Sequence, residues 1–105
     1  MPRDHSRLIM ELDKHRREIN REHISPTLNT CNIDTLTPVV KVVAKARADY
    51  MECLMTISNA AEQSSSTPEQ IEELRQHRLA YEELVSAANA LETVIQRGYV
   101  DVGEG

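Results

Sequence analysis

Between residues 38 and 63 the apolar positions recur at alternating steps of four and three. Val39, Val43, Ala46, Tyr50, Cys53, Ile57 and Ala60 form a heptad seam. Val40, Met51, Leu54 and Ala61 widen it to about half of the helix circumference at 100° per residue. The valines at 39, 40, 42 and 43 favour a strand by composition, but the spacing is helical. A second run, residues 68–97, repeats the pattern with Leu74, His77, Tyr81, Leu84, Ala88, Leu91 and Ile95 on the seam. Ala80, Val85, Ala87 and Val94 flank it. A third and shorter segment, residues 4–24, is mostly charged. Its apolar side is a narrow stripe of Leu8, Ile9, Leu12 and Ile19.

The punctuation between these runs is proline. Ser25-Pro26 predicts the end of the first helix, because the residue before proline is pushed out of the α region. Thr37-Pro38 predicts an N-cap and first helical residue for the second helix. Thr67-Pro68-Glu69-Gln70 predicts the third start, with Gln70 closing a capping box and Glu69 in the first turn. Gly98 is placed to stop that helix. Residues 25–37 then read as a Thr-rich, mobile connector pinned by Leu28, Ile33 and Leu36, and residues 98–105 as a tail apolar enough to dock at Tyr99–Val102.

Ser64-Ser65-Ser66 is a short turn, so the two long helices are expected to run antiparallel. With the turn centred there, facing positions have numbers that sum to about 131, which sets Tyr50 opposite Tyr81 and Cys53 beside His77. Each helix carries an apolar arc wider than one neighbour covers, and the first helix is too polar to cover both. A soluble monomer rarely leaves such a surface open. The expected architecture is therefore all-α: one helical domain over 1–105, a long antiparallel hairpin preceded by a shorter polar helix, forming a four-helix-bundle-type homodimer. Val39, Val43, Tyr50, Leu54, Ile57, Leu74, Tyr81, Leu84, Leu91 and Ile95 are the expected interface residues.

Composition narrows the functional classes. All three glycines lie at 98, 103 and 105, so residues 1–97 contain no glycine-rich phosphate loop and no glycine turn for a β-sandwich. Phe and Trp are absent, and Ala46, Ala60, Ala80, Ala87, Ala88 and Ala90 supply small contact residues instead. Charge is uneven. Residues 1–25 hold six Lys/Arg against five Asp/Glu, whereas residues 67–105 hold three against eight. An acidic C-terminal half does not present the basic face of a nucleic-acid binder. Cys31 and Cys53 do not make a disulfide framework. The N-terminal segment has no apolar h-region, and no apolar run approaches the roughly 20 residues of a membrane span. The expectation is a cytoplasmic protein with reduced thiols.

Three constellations carry candidate chemistry. Cys53, Glu73 and His77 bring metal-ligating side chains to one region of the hairpin. A Cys beside a His is also the minimum of a nucleophile–base pair. The competing reading is structural: a seam histidine that fixes register and is satisfied by Glu73 at i−4, beside a cysteine acting as a small apolar filler. Glu11, His15, Glu18 and Glu22 share one face of the first helix, but in the reverse order of the Glu-x-x-His signature of di-metal bundles. Lys14, His15, Arg16, Arg17 and Arg21 form a basic cluster interleaved with acids, for which the acidic third helix is the expected partner. No set completes a catalytic constellation, and no cofactor is implied. The expected function is non-enzymatic: protein–protein interaction as an adaptor, regulator or assembly chaperone, with itself and another protein as partners. Residues 25–37 and the tail are the expected contacts. The alternatives are a metal- or small-ligand-binding bundle at Cys53/Glu73/His77, and binding of nucleic acid or an anionic surface through the first helix.

Overall fold

The computed structural model describes residues 2–61 and 64–103, with the backbone alone at residues 2, 3 and 61. Its described residues form three helices, α1 (Pro2–Leu28), α2 (Ile33–Ala61) and α3 (Pro68–Gln96), and two short strands, β1 (Thr30–Cys31) and β2 (Asp101–Val102). Contacts gather into two compact units, residues 37–90 and residues 1–36 with 91–105.

Residues 37–90 contain the hairpin, where α2 and α3 pack together. The start of α3 follows the capping box: the Thr67 amide donates to Gln70 Oε1 at 2.8 Å and the Gln70 amide to Thr67 Oγ1 at 3.1 Å. The heptad seams set the contact. Cys53 and Ile57 are buried, and the remaining seam positions of both helices are half-buried. The rings of Tyr50 and Tyr81 lie 6.1 Å apart at 35°, the pairing that the short turn predicts. Arg47 donates to the Tyr81 hydroxyl from Nε at 3.1 Å and from Nη2 at 3.0 Å. The seam is thin. No residue of α3 is buried, and Leu54, on the flank of the α2 seam, is exposed.

The other unit corrects two predicted boundaries. Helix α1 continues through Pro26 to Leu28 instead of ending at Ile24. Asn29 stops it: with φ 56° it adopts the left-handed conformation, and its amide donates to the Ser25 carbonyl at 2.9 Å. That is the αL form of helix ending, which asparagine tolerates and most residues do not. Helix α2 begins at Ile33, not at Pro38. Asn32 is its cap, accepting from the Thr35 amide at 2.9 Å while its own amide donates to Thr35 Oγ1 at 2.9 Å. Pro38 sits inside the helix and offers no amide to the Asp34 carbonyl.

Gly98 ends α3 as predicted. At φ 72° it permits a Schellman closure, with its amide donating to Ile95 at 3.1 Å and that of Tyr99 to Val94 at 3.0 Å. The chain then pairs β2 with β1 in parallel, Thr30 opposite Asp101 and Cys31 opposite Val102. The Gly103 amide donates to the Cys31 carbonyl at 2.9 Å. Cys31, Tyr99 and Val100 are buried here. The connector and tail, expected as partner contacts, thus contact each other inside this unit. Arg21 fastens α1 to the same turn, donating to the Gly98 carbonyl at 2.9 Å and pairing with Asp101. Residues 4–19 of α1 are exposed along their whole length.

Candidate functional site

The two hairpin helices bring Cys53, Glu73 and His77 together. Cys53 is on the α2 seam, His77 faces it from the α3 seam, and Glu73 is one turn before His77. The thiol sulfur, one carboxylate oxygen and one imidazole nitrogen all lie within 4.8 Å of one another. Among the described residues no other group of three Cys, His, Asp or Glu side chains converges in this way. A cleft of about 280 Å³ opens beside them, lined also by Asp49, Glu52 and Gln70.

The three side chains are close without being hydrogen-bonded. Among the described residues no hydrogen bond joins His77 to Glu73, so the expected i−4 partner of the seam histidine lies nearby with its acceptor unused. Cys53 shows the electrostatic consequence. Burial pushes its thiol above the ordinary range, and the Glu73 carboxylate adds to the shift by opposing a second negative charge. Both effects favour the neutral thiol.

The other candidates disperse. On α1, His15 Nδ1 lies 3.9 Å from Glu18 Oε2, both largely exposed, while Glu11 pairs with Arg7 at 3.4 Å. These are ordinary one-turn pairs on a solvated helix. Arg16 and Arg21 of the basic cluster find carboxylates within their own unit. Arg16 pairs with Asp13 at 2.7 Å and Arg21 with Asp101. The acids of α3 pair along their own helix, Glu72 with Arg75 at 3.2 Å and Glu82 with Arg78 at 3.3 Å. Pairs one turn apart need no long side-chain excursion, and they win over distant ones. Glu72 also accepts from Gln76 at 2.8 Å, and that bond, with Arg75, holds its carboxyl below the usual range.

Sequence reasoning missed the remaining lining of the hairpin cleft. Asp49 lies four residues before Cys53 and Gln70 three before Glu73, so helical periodicity alone places them beside the cluster. A second cleft, of about 660 Å³, lies in the other unit, with Arg16, Arg17, Arg97 and Tyr99 on its walls. Hydrogen bonding by Arg97 and Asn20 lowers the Tyr99 phenol below its ordinary value, against an opposing effect of burial. None of the described helices is long and apolar enough to cross a membrane. No family model, no curated protein and no solved structure matches this chain.

Proposed function

We propose that this chain is a non-enzymatic interaction protein that acts by self-association, two hairpins combining into a four-helix-bundle-type homodimer. One observation carries the reading: the hairpin leaves its apolar flank in solvent. Val40, Met51, Leu54 and Met55 are 66%, 44%, 40% and 56% exposed. They fall within about 100° of one another on the α2 wheel, so they form one stripe. A second hairpin is the simplest cover, since it brings the same stripe and an isologous contact hides both.

Light scattering after size exclusion tests this. The expected mass is twice the 11.9 kDa of the chain, and a mass of 11.9 kDa at micromolar concentration refutes it. Binding of an anionic surface through α1 has less support, because Arg7, Arg16 and Arg21 each face a carboxylate.

A further inference from the structure

We propose that Cys53, Glu73 and His77 form a three-ligand site for a divalent transition-metal ion, zinc by preference, which staples α2 to α3. The site is independent of the homodimer, since all three ligands come from one hairpin.

The donor set is the first argument. One thiolate, one imidazole and one carboxylate suit zinc, a borderline-soft ion bound by sulfur, nitrogen and oxygen, and do not suit calcium or magnesium, which take oxygen alone. Distance is the second. Zinc–ligand bonds of about 2.0–2.3 Å at tetrahedral angles separate the donor atoms by about 3.5 Å. The donors lie within 4.8 Å of one another, so a closure of about an ångström completes the geometry. Glu73 has the freedom to make it, being exposed at the rim of the cleft. The third argument is that no hydrogen bond among the described residues competes for these donors. The fourth position falls to water, which the cleft admits.

The chemistry balances simply. Binding of the ion displaces the Cys53 proton to solvent, and the thiolate, the Glu73 carboxylate and the neutral His77 ring coordinate with no change in oxidation state. Affinity rises with pH, as the ion and the proton compete for sulfur.

Cobalt(II) reports on the site directly. Reduced, tag-free protein titrated with cobalt should take up one equivalent and develop a thiolate-to-cobalt charge-transfer band with tetrahedral d–d bands, both abolished by one equivalent of zinc. Cys53→Ser and His77→Gln, checked for folding by far-ultraviolet circular dichroism, should lose stoichiometric binding. Cys31→Ser, altering the buried thiol of the other unit, should keep the full spectrum. Glu73→Gln should weaken binding while retaining the charge-transfer band. Absence of that band in folded wild-type protein, or its survival in Cys53→Ser, overturns the site.

Discussion

Met51→Gln is the sharpest probe of the proposed dimer. The two side chains have similar length and similar helix propensity, so α2 should form as before. Met51 is 44% exposed in the single chain. Full burial of such a side chain contributes about 1.5–3 kcal/mol, so covering the exposed fraction contributes about 0.7–1.3 kcal/mol. An isologous interface contains the residue twice, which makes the loss about 1.3–2.6 kcal/mol per dimer. At about 1.4 kcal/mol per tenfold, the dimer dissociation constant should rise roughly ten- to eightyfold. Sedimentation equilibrium over a range of loading concentrations measures it. Met10→Gln makes the same chemical change on α1, in the other unit, and should leave the constant unmoved. If Met51→Gln dissociates at the same concentration as wild type, this flank of α2 is not the contact.

Two further predictions concern the fold and the thiol. Gly98→Ala forces a side chain into the left-handed conformation with nothing within 4 Å of the new Cβ, so its cost is backbone strain alone, about 1–2 kcal/mol; thermal unfolding should start several degrees lower, and Gly98→Asn should recover part of the loss. In a Cys31→Ser background, the alkylation rate of Cys53 by iodoacetamide should have a pH midpoint above that of an ordinary thiol, and Glu73→Gln should lower it without restoring the ordinary value, because burial is the larger cause. The sign for stability follows: the folded chain keeps a proton that the unfolded chain releases, so this contribution is present below the unfolded thiol's pKa and is lost as pH rises above it.

Local signals were the legible ones. Thr67, Pro68 and Gln70 act within four residues, and Gly98 acts through its own backbone, so position in the sequence suffices to place them. Seams were legible for a related reason, since a seven-residue repeat states which face is covered. Where two local signals competed, the stronger pattern misled. Thr37-Pro38 is a better statistical helix start than Asn32, yet Asn32 and Thr35 satisfy each other's amides and begin α2 a turn and a half earlier. Ser25-Pro26 biases against helix, but that preference gives way when Asn29 supplies a complete ending three residues later. The β1–β2 pair was illegible, because two residues have no period and their partners are about 70 positions apart. The convergence of Cys53, Glu73 and His77 came from turn length and seam register together, neither of which names it alone.

The scarcity of large aromatics connects the two proposals. A hairpin seam of aliphatic and small residues with only two tyrosines covers little surface, and among its described residues only Cys53 and Ile57 are buried. Small domains with thin cores commonly compensate by oligomerising or by binding a structural metal, and the hairpin offers a surface for the first and a donor set for the second. The two should separate cleanly. Met51→Gln removes apolar contact on the flank of α2 and leaves the donors untouched, so it should weaken the dimer and retain the cobalt spectrum. Cys53→Ser should abolish the spectrum and leave the apolar flank, hence the mass of the apo-protein, as it is. If either substitution moved both readouts in protein that remains helical, the ion and the second chain would share one site, and the picture of a self-contained staple beside a separate docking stripe would be wrong.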